Sequence, residues 1–131
     1  MVPKEIEVIL TRHLASSLAM PIFIVDIEGN LVFYNEPAEA ILGRRFEETG
    51  EVSYMDWTTA FSPADEYGAP IPNKEIPLVI ALEQKHPAQR SFWIHGLDHV
   101  SRHIAVTAFP LMGQEKRFLG AVAIFWELKV T

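Results

Sequence analysis

The first twenty residues place apolar side chains at intervals of three and four, which is the spacing of one face of a helix. Ile6, Leu10 and Leu14 lie on this stripe, and charged residues occupy the other faces. A proline follows the stripe and ends the helical pattern. The pattern therefore predicts an N-terminal helix over residues 1–20, followed by one domain over residues 21–131.

Beyond this helix, the apolar period shortens to that of β-strands. The runs PIFIVD and LVFYN flank a glycine–asparagine turn, which is typical of a β-hairpin. Asn35 then precedes a short helical segment, and Asn is a preferred N-cap residue. Gly43 suits the position just after that helix. Two strands and one short helix are therefore predicted for residues 21–43.

The middle of the chain is irregular and contains several prolines and glycines. One turn of helix is predicted at residues 54–61, and a longer apolar helix at Asn73–Gln84. The runs QRSFWIHG, SRHIAVTAFPL and KRFLGAVAIFWEL predict three more strands, because they are rich in β-branched and aromatic residues and are separated by turns. The predicted fold is α+β: a five-stranded antiparallel sheet with helices on one face.

The strand positions that face the helices are the candidates for a ligand pocket. Successive residues of a strand face opposite sides of the sheet, so every second residue is a candidate. We decide which set faces inward by placing Asp26 and Asn35 on the inner side. In the last strands both faces are apolar, so the pattern determines the phase less firmly there. The predicted pocket residues are Ile22, Ile24, Leu31, Phe33, Ile76, Val79, Ile80, Phe92, Ile94, Ile104, Val106, Val122 and Ile124. Two alternatives remain open: a filled core without a cavity, and a pocket for a small apolar or amphipathic ligand.

Asp26, Gly29 and Asn35 form the sharpest polar cluster in the sequence. One interpretation makes Asp26 an acid or a base. The other is that Asp26 and Asn35 hydrogen-bond around the hairpin and the helix start, while Gly29 supplies a positive φ. We favour this structural role, since short polar residues at turns and caps usually act in this way.

The composition excludes several classes of protein. The chain has 131 residues, of which 49% are hydrophobic and 21% charged, as expected for one globular domain. Its net charge of −6 argues against nucleic-acid binding. No apolar run reaches the roughly 18 residues of a membrane span, and no signal peptide precedes the domain, so we expect a cytoplasmic protein. The absence of cysteine excludes disulfides, thiolate metal sites and cysteine nucleophiles.

Three histidines, His95, His99 and His103, are spaced four residues apart. On one helix they would align as metal ligands, but the residues between them indicate a hairpin turn. A hairpin would bring His95 and His103 opposite each other. Exposed turn histidines are common, so we assign no metal and leave the question open.

The sequence argues against an enzyme. Asp98, Ser101 and His103 lie on one predicted turn, whereas catalytic triads are assembled from separate elements. Neither a G-x-S-x-G motif nor a glycine-rich phosphate loop occurs. The predicted inner positions are almost all aliphatic or aromatic, whereas an enzyme needs buried titratable groups. The alternatives are a small single-domain α+β pocket enzyme, such as an isomerase or hydrolase, and a dimerisation or docking domain without a ligand.

Three segments in this order resemble a PAS domain. PIFIVDIEGNLVFYNEPAEAILG resembles the opening of the family, with a strand ending in Asp26, a turn at Gly29, a second strand ending in Asn35, and Gly43. DEYGAPIPNKEIPLVIAL is similar to the loop and long helix, and the segment from residue 96 to 127 is similar to the last hairpin and final strand. The resemblance implies a sensory or protein-interaction module in signalling, with haem, flavin, a metabolite or no ligand in its core.

The resemblance does not settle the cofactor. In similar haem-binding PAS domains the axial histidine lies on the long helix, but here the helix contains none and His86 follows it. Flavin photoadduct chemistry needs a cysteine and is excluded. Non-covalent flavin has no positive sign in the sequence, so the cofactor is unassigned.

A homodimer is expected because the outer sheet face carries large apolar residues that need cover. The predicted interface consists of Ile6, Leu10 and Leu14 of the N-terminal helix together with Phe125. The Asp-Ile-Thr signal that leads into an effector in many PAS domains is absent. We therefore expect the signalling effector to be a separate protein or a domain outside this chain.

Overall fold

The computed structural model describes residues 20–128, which contain a five-stranded antiparallel sheet. The sheet order is β2-β1-β5-β4-β3. The strands are β1 Ile22–Val25, β2 Leu31–Tyr34, β3 Ala88–His95, β4 Ser101–Met112 and β5 Phe118–Glu127. The predicted α+β fold is confirmed. The predicted N-terminal helix, with Ile6, Leu10 and Leu14, lies outside the described residues.

Within these residues, four α-helices and two short 3-10 turns connect the strands. The helices are α1 Glu36–Leu42, α2 Phe46–Thr49, α3 Tyr54–Ala60 and α4 Pro77–Gln84, and the turns are Asn73–Glu75 and Gln114–Lys116. The helix predicted over Asn73–Gln84 is thus shorter, because proline at position 77 lacks an N–H and fits only the first turn. In the described part of the chain, no helix is long and apolar enough to cross a membrane.

Asn35 joins the end of the first hairpin to the start of α1. Its side-chain oxygen accepts hydrogen bonds from the backbone N–H groups of Ile22 (2.9 Å) and Ala38 (3.3 Å). Its amide donates to the carbonyl oxygen of Met20 at 2.8 Å. With 1% of its surface exposed, Asn35 satisfies backbone groups that would otherwise be buried without partners.

Asp26 organises the turn between β1 and β2. Its Oδ1 atom accepts hydrogen bonds from the N–H groups of Glu28 (2.9 Å) and Asn30 (3.0 Å). Gly29 has a φ of 87°, which glycine adopts without the steric cost of a side chain. Both carboxylate contacts are therefore turn-forming contacts within the hairpin.

The two faces of the sheet form separate apolar clusters. The larger cluster combines the inner face with residues from α1, α3 and α4. The smaller, on the outer face, is built in the described residues from strand side chains alone: Ile22, Ile24, Val32 and Val122, with Phe33, Phe109, Leu111 and Ile124 at its margin. The structure thus places the predicted pocket residues Ile22, Ile24, Phe33, Val122 and Ile124 on the outer face, contrary to the prediction.

A β-bulge explains part of this error. Ile24 pairs with Phe33, but the next residue, Val25, pairs with Leu31, so Val32 is the extra residue on β2. The bulge breaks the period of two, and Leu31 and Phe33 consequently face opposite sides.

Candidate functional site

An apolar cavity of about 70 Å³ lies between the inner face of the sheet and the helices. Strands β1, β3, β4 and β5 supply its floor, and α1, α3 and α4 with their flanking residues supply its walls. The lining residues are Phe23, Leu42, Trp57, Phe61, Pro63, Ile76, Leu78, Phe92, Ile94, Ile104, Val106, Ala123 and Phe125.

Aromatic side chains form one wall of the cavity. The ring of Phe23 meets Trp57 edge-on, with 5.3 Å between the ring centroids, and meets Phe61 at 6.4 Å. Edge-to-face pairs of this kind are favourable beyond the area they bury. Large, stiff rings therefore line the cavity on this side, whereas Ala123 on β5 contributes only a methyl group.

The chemistry of the cavity is wholly apolar. Its lining contains no ionisable side chain. The one polar side-chain atom among these residues, the indole nitrogen of Trp57, donates a hydrogen bond to the carbonyl oxygen of Gly29 at 2.7 Å. The cavity therefore favours an uncharged ligand without hydrogen-bonding groups, because polar groups buried there would lose their water without gaining a partner.

Neither haem nor flavin fits these residues. The lining contains no histidine, cysteine, methionine or tyrosine that would serve as an axial ligand to haem iron. A flavin ring needs hydrogen-bond partners for its polar edge, and this lining provides none. Sites for drug-sized ligands span about 300–1,000 Å³, well above the 70 Å³ present here.

Five of the thirteen predicted pocket residues line the cavity: Ile76, Phe92, Ile94, Ile104 and Val106. Leu31 and Val79 belong to the surrounding core without lining it, and Ile80 is half-buried outside it. The other five lie on the outer face. Phe125, predicted to be a dimer contact, is 3% exposed and lines the cavity, so its assignment to the interface is wrong.

Eight lining residues were not predicted from the sequence. Pro63 lies in the irregular middle, where no periodicity marks an inward position, whereas Phe61 ends the predicted helical turn and lies four residues after Trp57, on the same face. Trp57 could have been predicted from the sequence, because a tryptophan in a predicted helical turn is usually buried with its indole N–H hydrogen-bonded. The remaining missed residues are Phe23, Leu42, Leu78, Ala123 and Phe125, and the correct strand phase would have found three of them.

A second cavity of about 30 Å³ lies beside the first. The two cavities share Trp57 and Phe61, whose side chains separate them. The smaller cavity is also lined by Leu31, Tyr34, Thr49, Val52, Ala60 and Leu97. The hydroxyl of Tyr34 donates to the carbonyl oxygen of Arg44 at 2.8 Å, and burial raises the pKa of this group.

The three spaced histidines do not converge. The rings of His95 and His99 lie 5.8 Å apart, whereas His103 stacks on Trp93 at 4.8 Å. In residues 20–128, no three histidine or acidic side chains are grouped to hold a metal ion. The metal site that the sequence left open is therefore not assembled by these residues.

Asp98 is paired with Arg102 and not with His103. Its two carboxylate oxygens accept hydrogen bonds from the guanidinium at 3.0 and 2.7 Å. The hydrogen bonds from Arg102 lower the pKa of Asp98 to about 2. Because both carboxylate oxygens of Asp98 are hydrogen-bonded to Arg102, Asp98 does not orient His103 as a catalytic triad would require.

Comparison with known proteins gives matches in structure but not in sequence. No protein-family profile and no curated protein matches the chain. The PAS domain of Bordetella pertussis BvgS superposes with a TM-score of 0.59 at 14% identity, covering 95% of this chain and 87% of that one. The Rhodobacter sphaeroides LOV protein gives 0.73 at 15% identity, covering 95% and 69%.

A third similar structure is the PAS domain of nitrogen regulation protein NR(II) from Vibrio parahaemolyticus. Its TM-score is 0.61 at 13% identity, covering 91% of this chain and 98% of that one. Identities this low show that the fold is shared, but they do not show that the proteins share a ligand or a partner. The strand order, the helices on one face and these superpositions agree, and the chain has the PAS fold.

Proposed function

We propose that this protein is a sensory and protein-interaction module that binds a small, uncharged apolar ligand between its sheet and its helices. The observation that carries the proposal is the 70 Å³ cavity, lined by apolar residues at the centre of a PAS fold. Well-packed interiors contain few voids larger than a water molecule. Apolar cavities of this kind stay dry, and they bind small apolar ligands of matching shape, such as xenon.

The lining also supports a non-catalytic role. General acid–base and nucleophilic catalysis need titratable groups at the reacting atoms, and none lines the cavity. The enzyme alternative is therefore less favoured than a binding module. A cytoplasmic location and a separate effector protein belong to the same proposal.

Xenon binding tests the ligand site directly. We expect xenon under pressure to shift the methyl resonances of Ile104 and Val106, which line the cavity. Ile104→Trp should fill the cavity and remove the response. Ile80→Trp is the matched control, because Ile80 lies on α4 outside the lining and its replacement should leave xenon binding intact.

Native mass spectrometry of the freshly purified protein complements that test. A mass excess lost on denaturation would support a physiological ligand, and its value would indicate the chemical class. If wild type neither carries extra mass nor responds to xenon, the ligand proposal is wrong and a ligand-free docking domain is the better interpretation.

We further propose that the protein is a homodimer that associates through the outer sheet face. Supporting this, Trp126 on that face is 37% exposed, and Phe33, Phe109 and Ile124 are only partly buried. Large apolar surfaces of this kind usually mark interfaces. Deleting residues 1–18 should yield a monomer or an aggregate in light scattering, and a dimer that persists unchanged would refute a role for the N-terminal segment.

A further inference from the structure

The hairpin between β3 and β4 is joined to the end of helix α1. The N–H of Leu97 donates to the carbonyl oxygen of Leu42 at 2.8 Å. One guanidinium nitrogen of Arg102 donates to the carbonyl oxygen of Ile41 at 2.9 Å. These contacts satisfy two carbonyl groups that a helix leaves without partners at its C-terminal end.

An ion pair holds the arginine in this position. Arg102 donates to both carboxylate oxygens of Asp98, and its side chain is only 14% exposed. A fork-to-fork pair fixes geometry as well as contributing energy, and a cation is favourable beside a helix C-terminus. A Cβ at Gly43, which ends α1, would lie 2.6 Å from Asp98, so no larger residue fits against the pair.

The residues of this joint also line the two cavities. Leu42 belongs to the wall of the larger cavity, and Leu97 to the wall of the smaller one. Trp57 and Phe61 alone are shared by both linings. The two cavities are therefore neighbours that meet at these two rings, and the hairpin lies beside the smaller cavity.

We propose that the β3–β4 hairpin, residues 96–100, is the gate through which ligand reaches the core, and that the Asp98–Arg102 pair is its latch. When the latch opens, Leu97 leaves Leu42 and uncovers the smaller cavity, which serves as an antechamber. The entrance role rests on the proposed function, whereas the opening of the joint is a property of the ligand-free protein and is measured separately.

Hydrogen exchange in the ligand-free protein tests the latch. In Asp98→Asn, exchange of the Leu97 amide should rise about threefold, as expected for the loss of a partly exposed ion pair. The amide of Val122 in the centre of the sheet should stay unchanged, because the opening is local. An unchanged Leu97 amide overturns the latch, and so does an equal rise at Val122, which reports global unfolding.

Glu75→Gln is the matched control. It breaks the ion pair of Glu75 with Arg90 (3.2 Å), which joins the segment before α4 to the start of β3 and is more exposed. Exposed pairs contribute little, and this one is far along the strand from the hairpin. The Leu97 amide should exchange as in wild type, and a rise equal to that of Asp98→Asn would overturn the assignment of the latch.

Xenon residence time, measured by saturation transfer, tests the entrance. Asp98→Asn should shorten the residence time about threefold while leaving equilibrium binding unchanged, and Glu75→Gln should change neither. Val52→Leu adds a carbon to the wall of the 30 Å³ antechamber and should lengthen the residence time. Residence times equal in all four proteins would overturn the gate.

The outcomes separate the gate from the function that it serves. If xenon fails to bind wild type, the proposed ligand site is wrong and the entrance role falls with it. In that case a selective rise at the Leu97 amide would still support the opening of the joint. Normal binding with residence times unaffected by Asp98→Asn would overturn the gate alone.

Discussion

Both faces of the sheet carry an apolar cluster, but the two clusters are packed in different ways. Strand β5 turns Ala121 and Ala123 towards the helices and Val122 and Ile124 towards the other side. On the outer face, Ile24 pairs with Val122 and is fully buried. On the inner face, Ala123 and six larger strand residues line a cavity together with the aromatic rings of Trp57 and Phe61.

The difference between the faces lies in their packing. Both faces bury apolar surface and contribute to stability in proportion to the area removed from water. In the inner cavity, Ala123 shares the lining with the stiff aromatic rings of Trp57 and Phe61, which cannot collapse onto it. Substitutions on the two faces should therefore have different consequences.

The largest effect is expected at Gly120, on the tightly packed side of β5. A Cβ there would overlap the backbone carbonyl oxygen of Val25 on the neighbouring strand. Because backbone cannot move aside cheaply, Gly120→Ala should lower the free energy of unfolding by about 4 kcal/mol or more. Denaturant titration measures this loss.

Gly68→Ala separates the overlap from backbone strain. Gly68 also has a positive φ, 83°, but nothing lies within 4 Å of the position that a Cβ would occupy there. Its substitution should cost about 1–2 kcal/mol, which is the strain alone. Equal losses at the two glycines would show that the strands separate readily and that the outer side is not tightly packed.

Ile24→Ala should have the next largest effect. Ile24 has no exposed surface, so truncation removes buried methyl groups and leaves a hole, at a cost of about 3 kcal/mol. Ile27→Ala is the control, since Ile27 is 58% exposed in the adjacent turn and should change stability by less than about 0.5 kcal/mol. A loss below about 1 kcal/mol at Ile24 would indicate that the outer cluster is loosely packed.

Two alanines on the same face of β5 give a more sensitive comparison. Ala121 is fully buried outside the cavity, and Ala121→Val should cost about 1–3 kcal/mol through overpacking. Ala123 lines the cavity, so the added methyl groups of Ala123→Val enter empty space and should cost less than about 0.5 kcal/mol. Ala123→Val should also abolish xenon binding. Equal losses for the two variants would argue against a cavity at this position.

Much of the fold was predictable because local signals agreed. The hairpin before residue 35, the cap at Asn35 and the three late strands each have their own composition, and their order leads to the five-stranded sheet. Secondary-structure propensity and turn chemistry act over a few residues, so they can be detected in a single sequence. The start of α4 shows the limit, since Pro77 shifted it and only a 3-10 turn forms before it.

The site was less predictable because its determinants are not periodic. In β1 and β5 nearly every residue is apolar, so alternation has no polar position to set its phase. The phase was set from Asp26, which the structure places in a turn, and the bulge at Val32 shifts β2. Pro63 lines the cavity from an irregular segment, which only the tertiary structure reveals.

The smallest predicted effect is the pH dependence of stability at the joint between the β3–β4 hairpin and helix α1. Arg102 lowers the pKa of Asp98 from 3.8 to about 2 in the folded protein. The folded state thus binds a proton less readily than the unfolded state, so the ion pair stabilises the fold fully above about pH 4. This contribution is lost as the pH falls from about 4 towards 2.

The carboxyl resonance of Asp98 should therefore titrate with a midpoint near 2 in wild type and close to the ordinary value in Arg102→Gln. The stability difference between wild type and Asp98→Asn should shrink over the same interval, since protonation removes the charge that the variant lacks. A wild-type midpoint near 3.8 would mean that Arg102 does not hold the carboxylate in solution. The ion pair would then contribute nothing to the joint between the hairpin and α1, and the assignment of the Asp98–Arg102 pair as a latch would be wrong.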